Sequence, residues 1–287
     1  MNDIEIQLTQ FLETINDKTP EEYEELIEEF GENCKDALRG CLLVDKSQEP
    51  FRIRMSNIGH KLRKLMLDKK YGRKPLSGPD KVKMTYGYLC ESLLVFLLKA
   101  SGVQVTEEQG EVDLDVKFSD EKTLNVKGSF DFVIGDKIWD AKSASKFSFE
   151  NKFVDFNSLQ AADDFGYIGQ AIGYSLAHKK KFGGWIVINK ADGAIKVIEI
   201  PDDKYRELCA KYLKEFKHKI KTIDEDGEMP PCDGVVKETF YKKLTGKKHL
   251  NKNCEYCEHK YICHPTLDYA QNEMSTAKVK PCKYYVK

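Results

Sequence analysis

Between Gly128 and Ser143 the chain alternates in the manner of a strand: Phe130, Phe132 and Ile134 are interleaved with Asp131 and Val133. The pattern breaks at Gly135-Asp136 and resumes through Lys137, Ile138 and Trp139 to Asp140. It predicts two antiparallel strands joined by a two-residue turn. Elsewhere the period changes. Residues from Tyr86 to Gly102 are densely apolar and end at a glycine, which predicts a buried helix that stops there. Residues 103–118 read as strand material, and Gly184–Asn189 and Ala194–Ile200 as two more strands around an Ala191-Asp192-Gly193 turn. Residues 202–221 carry Tyr205, Leu208, Leu213 and Phe216 at helical spacing. Near the start, Thr19-Pro20-Glu21-Glu22 supplies a cap, a proline at the first helical position and first-turn acids, followed by an apolar stripe of Tyr23, Leu26, Ile27 and Phe30. This succession predicts an α/β fold, a mixed sheet flanked by helices, with an acidic helical region in front. No internal repeat or low-complexity tract interrupts it.

The hairpin carries candidate chemistry. Asp131 and Asp140 fall on adjacent strands, and Lys142, two residues beyond Asp140, shares its face because strand side chains alternate with a period of two. Two carboxylates suit a hard divalent cation such as Mg²⁺ or Mn²⁺, and a lysine beside them can orient or help deprotonate water or offset charge on a phosphate. Glu91 stands among the apolar residues of the Tyr86–Gly102 helix, where a carboxylate without a cationic partner is costly. Gln170 and Tyr174, four residues apart in a helical segment, present an amide and a phenol on one face. Taken singly, each of these signals is also an ordinary feature of a globular surface.

Taken together, Glu91 on a helix, Gly128-x-x-Asp131 on a strand, Asp140-x-Lys142 on the next and Gln170-x-x-x-Tyr174 on a helix resemble the PD-(D/E)xK nucleases, specifically the RecB-like exonuclease branch. The match covers roughly residues 50–265 and holds the four elements in order. The resemblance implies a restriction-endonuclease-like core in which Glu91, Asp131, Asp140 and the backbone carbonyl of Ala141 hold the metal. Lys142 would be the catalytic lysine, and Gln170 and Tyr174 the supporting helix motif. It implies a metal-dependent DNA exonuclease acting in recombination, repair or phage DNA metabolism. Two alternatives stand beside it: a noncatalytic DNA-binding or assembly subunit that keeps the fold, and a structure-specific endonuclease or RNA-directed nuclease.

A second constellation is Cys254-x-x-Cys257 followed by Cys263 and His264. Two cysteines two residues apart grip one metal centre from a single turn, and a third nearby extends the shell. The triplet is similar to the C-terminal cysteines of CRISPR-associated iron-sulfur RecB-like nucleases and of the AddB nuclease domain, in which an upstream cysteine completes a 4Fe-4S cluster. Here Lys61 stands at the matching upstream position, and an ammonium is no ligand. Cys282 is the favoured fourth ligand, ahead of His60 and Cys232, with Cys34 and Cys41 more remote. Four thiolates admit 4Fe-4S or Zn²⁺, whereas three with a histidine lean toward Zn²⁺. The expected division is an acidic helical region at 1–50, a nuclease core at 51–245 and a cysteine-rich lobe at 246–287.

Composition adds limits. With 41% hydrophobic and 32% charged residues the 287-residue chain has an ordinary globular make-up, and its longest apolar run, Leu93 to Leu98, is too short to span a bilayer. The start shows no basic-then-apolar secretion pattern, and nine cysteines without one suggest thiols and metal ligands in the cytoplasm rather than disulfides. Net charge is −1, but it is unevenly spread: acids crowd residues 1–35, and bases crowd Arg52–Lys74 and Lys237–Lys252. The two basic stretches would contact DNA phosphates, with Tyr71, Tyr241, Tyr256 and Tyr261 able to stack on unpaired bases of a single-stranded or linear end. The acidic region would pack on the core, bind a protein partner, or occupy the basic channel.

Overall fold

A computed structural model of the chain describes residues 2–44, 49–240, 243–276 and 278–287; Tyr241 lies outside the described residues. Two helices open the chain, α1 (Asp3–Glu13) and α2 (Glu24–Ala37), followed by α3 (Met55–Ile58) and α4 (Leu62–Tyr71). The long helix α5 (Gly78–Ala100) starts where the Ser77 side chain accepts from Asp80 N and ends just before Gly102, which takes a left-handed φ of +83°. Strands β1 (Val105–Thr106), β2 (Gly110–Lys117), β3 (Thr123–Phe130), β4 (Phe132–Ile134) and β5 (Lys137–Ala144) follow. Short helices α6 (Lys146–Asn151) and α7 (Phe156–Ala161) then lead to α8 (Tyr167–His178), β6 (Lys181–Asn189), β7 (Ile195–Glu199) and α9 (Asp202–Asp224). The C-terminal part holds β8 (Val235–Phe240), β9 (Lys243–Leu250), α10 (Lys252–Glu255), α11 (Lys260–Cys263), β10 (Leu267–Gln271) and β11 (Cys282–Val286).

The central sheet has the order β1-β4-β5-β6-β7, with β5 and β6 parallel and the other neighbours antiparallel. A parallel pair needs a crossover, and α6, α7 and α8 supply it. The mixed α/β architecture expected from the sequence is therefore present. Strand alternation sorts side chains to two faces. Ile138, Ala144, Trp185 and Val187 pack with Ile172 of α8 and Phe216 of α9, while Trp139, Ala141, Ile186 and Ile188 pack with Leu94 and Leu98 of α5 and with Ile4 and Leu8 of α1. The acidic N-terminal region thus lies on the core through Ile4 and Leu8 of α1, and Phe30 of the α2 stripe meets Phe96 of α5 with ring centroids 6.1 Å apart. Glu5 completes the join by accepting from Val197 N on the edge strand at 2.7 Å.

The expected hairpin forms with register Phe132↔Trp139 and Ile134↔Lys137, its turn resting on Gly135 at a φ of +62°. One detail differs from simple alternation. Phe130 and Phe132, two residues apart, belong to opposite core clusters, because β3 pairs with β2 in a separate ribbon and the chain changes sheets between them. Asp131 is the residue at that corner.

The C-terminal sheet, β10-β11-β9-β8, begins in sequence at Val235, and the described part of the basic stretch falls mainly on β8 and β9. Its lysines hid the strand pattern. No helix among the described residues is long and apolar enough to cross a membrane.

Candidate active site

Three elements bring the expected acids together. Glu91 comes from α5, Asp131 from the corner before β4, and Asp140 and Lys142 from β5. Asp131 is held at both ends: its carbonyl accepts from Gln109 N at 2.8 Å, and its Oδ2 accepts from Ala141 N at 2.7 Å. Asp140 is 3% exposed, and its Oδ2 lies 2.6 Å from Lys142 Nζ. The same ammonium donates to the Ala141 carbonyl at 3.0 Å. Lys142 thus takes up two of the oxygens that the resemblance assigns to a cation.

Electrostatics at this point are governed by one ammonium among three carboxyls. Burial pushes the Glu91 carboxyl up to about 8, Lys142 pulls against it, and repulsion from Asp131 and Asp140 adds to the rise. Asp140 rises to about 7 for the same first reason, with Lys142 opposing and Asp131 adding to it. Asp131 is raised by burial as well, against Lys142 and the Ala141 amide. For Lys142 burial disfavours the charged form, but Asp140, Asp131 and Glu91 outweigh it and hold the ammonium well above its usual range. The site therefore carries more acid than its own lysine neutralises. Asp140 Oδ2 is buried, and the Lys142 ammonium is its partner. Hard oxygens from three carboxyls around a single ammonium together fit a divalent cation.

Helix α8 closes the site. Its start is fixed by Asp163, whose two carboxylate oxygens accept from Tyr167 N at 2.8 Å and Ile168 N at 3.0 Å. Gln170 Nε2 then donates to the Tyr174 hydroxyl at 2.7 Å, joining the two residues that the sequence puts on one face. Burial, then the Asp140 carboxylate, raises the Tyr174 phenol, which stays neutral. Tyr167 completes the same stripe and is missing from the sequence-based set. Its ring centroid is 5.8 Å from Lys142 Nζ, and burial pushes its hydroxyl up to about 12. Its position three residues before Gln170 is the signal that would have found it.

The thiols gather differently from expectation. Cys254, Cys257 and Cys263 lie on or beside α10 and α11, and Cys254 is pushed up to about 12 by burial and by Cys232, Cys257 and Cys263. Cys232 Sγ is 3.2 Å from His264 Nε2, and the Arg63 guanidinium donates to Cys263 Sγ at 3.3 Å. Cys282 stands apart. It opens β11, is exposed, faces Gln271 in register, and has the Tyr269 hydroxyl as its neighbour. Of the two candidates for a fourth thiol, Cys232 is the one beside Cys254, while Cys282 is paired into β11. His60 lies near Lys64 and Asp68, and burial, then the Lys64 ammonium, lowers it to about 4. The upstream segment nonetheless reaches the lobe by polar contacts. Lys61 pairs with Asp233 at 2.7 Å, and Arg63 Nη1 donates to the Pro230 carbonyl at 2.6 Å.

Among the described residues, the group of three or more His, Cys, Asp or Glu whose ligand atoms all lie within 4.8 Å of one another is Asp68, Glu258 and His259. His259 Nε2 is 2.8 Å from Asp68 Oδ1, both side chains being buried. Lys64 already sits 3.0 Å from Asp68 and 3.7 Å from Glu258. Its ammonium supplies the positive charge, and the group fastens α4 to the lobe. The nuclease-type acids and the thiols are spread more widely than this.

No family model matches the sequence, and no curated protein matches it. A solved structure titled "Crystal structure of SSO0001" is similar at a TM-score of 0.46 and 16% identity, covering 83% of this chain and 96% of that one. At that level of likeness, the α/β assignment rests on the strands and helices described above.

Proposed function

We propose that this chain is a metal-dependent nuclease of the PD-(D/E)xK kind that hydrolyses phosphodiester bonds in DNA. The observation that carries the reading is the convergence of Glu91, Asp131, Asp140 and Lys142 from a helix, a sheet corner and a strand on one acid-rich point. A hard divalent cation, Mg²⁺ or Mn²⁺, held by Glu91, Asp131, Asp140 and the Ala141 carbonyl, would supply Lewis-acid chemistry at the phosphate. The chain's own residues do the rest. Asp131, tied to the Ala141 amide, keeps the corner against β5 so that its carboxylate and that of Asp140 face one substrate. Lys142, kept charged by its neighbours, offsets negative charge on the phosphoryl oxygens and orients the attacking water; a lysine held this firmly protonated is an electrostatic group rather than a base. Gln170 and Tyr174, joined to each other, position the substrate strand. Recombination, repair or phage DNA metabolism is the setting such an enzyme serves.

The thiol lobe holds a second, structural metal in this reading, with Cys232, Cys254, Cys257 and Cys263 as its thiolates and His264 beside Cys232. Four thiolates suit a 4Fe-4S cluster or Zn²⁺. Metal analysis and the visible absorption spectrum of the purified protein distinguish the two, and protein free of both metals would reject the lobe assignment. For the chemistry, labelled linear, circular, single-stranded and double-stranded DNA incubated with Mg²⁺, Mn²⁺ or EDTA is the test. Cleavage that needs the cation supports the reading, and no cleavage of any substrate under any of these conditions overturns it.

A further inference from the structure

Beyond the acids and the α8 stripe, a run of aromatic rings leaves the candidate site and reaches the C-terminal lobe. Tyr167, whose ring faces Lys142, stacks on Phe153 with centroids 6.2 Å apart and planes 24° apart, and its centroid is 5.9 Å from that of Phe165. Phe165 is in turn 6.2 Å from Tyr256, in the segment between α10 and α11. Tyr256 lines a cavity of about 530 Å³ together with Tyr269, Tyr284, Lys74 and Lys260. The outer rings are bare: Phe165 is 44% exposed and Tyr256 74%. Exposed ring surface at these two positions is free to take a further stacking partner.

Cations line the same run. Lys152 Nζ lies 4.2 Å from the Tyr167 centroid and 5.2 Å from that of Phe165. Lys252 Nζ lies 4.5 Å over the exposed ring of Phe147, and Lys260 Nζ 3.9 Å over Tyr284 at the cavity. The cavity's acids are partly engaged, Glu258 with Lys64 and the Lys74 amide, Asp80 with Ser77 and Lys83. Exposed ring faces alternating with ammonium groups are what unpaired bases and their phosphates require, because every base has a face to stack and every linkage a charge. A duplex hides those faces.

We propose that Tyr167, Phe165 and Tyr256 form a binding track for single-stranded nucleic acid, leading an unpaired tail from the cavity beside Tyr269 and Tyr284 to Lys142. The proposal deepens the nuclease reading and rests on it for the direction of travel. It is tested by binding alone, with the full chain in EDTA, where nothing is cut, using fluorescence anisotropy of labelled oligothymidine, oligouridine and a blunt duplex. Phe165→Ala and Tyr256→Ala should each weaken binding of the single strands about tenfold and leave the duplex unchanged. Tyr256→Phe, which keeps the ring, should bind like the unaltered chain. A stronger effect on oligothymidine than on oligouridine marks a DNA track, and the reverse an RNA track. Equal binding of single strands by the alanine variants and the unaltered chain overturns the proposal, as does equal loss on the duplex. Ring-dependent binding by a protein that cuts nothing keeps the track and rejects the chemistry, whereas cleavage without ring dependence does the reverse.

Discussion

At the residue scale, the candidate site is a charge imbalance held in place by the backbone. Glu91 and Asp140 stand at about 8 and about 7, each because burial favours the neutral acid. The unfolded chain releases those protons near the ordinary carboxylate range, so between there and about 8 the folded state binds more protons than the unfolded state. Stability must then fall as pH rises through that window. Thermal melts in EDTA should show the melting temperature dropping from pH 5 toward pH 8, and added Mg²⁺ should flatten the drop by making the charged carboxylates favourable. A profile in EDTA that rises or stays level over that window would contradict the buried, under-neutralised acids. Most of this site was legible in the sequence, because period-two alternation is enough to set Asp140 and Lys142 on one face. Tyr167 is signalled only by its spacing of three from Gln170, which an aromatic packed in the core at the start of a helix would share.

At the element scale, the site depends on α8 approaching the α3 segment closely. A Cβ on Gly59 would stand 2.1 Å from the Gly166 carbonyl oxygen, and Gly166 itself takes a left-handed φ of +75° at the start of α8. The neighbour is backbone and cannot swing aside. Gly59→Ala should therefore cost about 1–3 kcal/mol in urea denaturation and lower activity with it; a variant as stable as the unaltered chain would show that this contact does not set the position of α8. The strands of the central sheet and helices α5 and α9 announce themselves through clean apolar periods. The α3 contact does not, because close backbone approach leaves only a glycine in the sequence. Asp131 is legible as a strand acid, but its place at a change of sheet comes from long-range pairing of β2 with β3, which no local pattern encodes.

Over the whole molecule, the two ends of the described chain are fastened to the middle in different ways. The acidic N-terminal helices use apolar contacts, the Glu5 carboxylate accepting from Val197 N at the edge of the sheet, and an ion pair between Glu29 and Lys99 of α5. The lobe uses the buried contact of His259 with Asp68 and polar contacts from Lys61 and Arg63 around the thiols. Sequence spacing alone suggested Cys282 as the fourth thiol because it lies in the same C-terminal segment; the fold sets Cys232 beside Cys254 and pairs Cys282 into β11, which makes Cys232 the proposed fourth ligand. Cys232→Ser should lower the lobe's metal content and the melting temperature, while Cys282→Ser should change neither. Equal metal loss in both variants would reverse that assignment.

The proposed function is cleavage of phosphodiester bonds by the clustered acids and the lysine on β5. Its most direct measurement is single-turnover cleavage of labelled linear DNA in Mg²⁺ by the unaltered chain, Asp140→Asn and Lys142→Ala, each checked for an unchanged circular dichroism spectrum. Cleavage by the unaltered chain, slowed about a hundredfold or more in both folded variants, is the predicted result. Cleavage by either variant at the rate of the unaltered chain would contradict it.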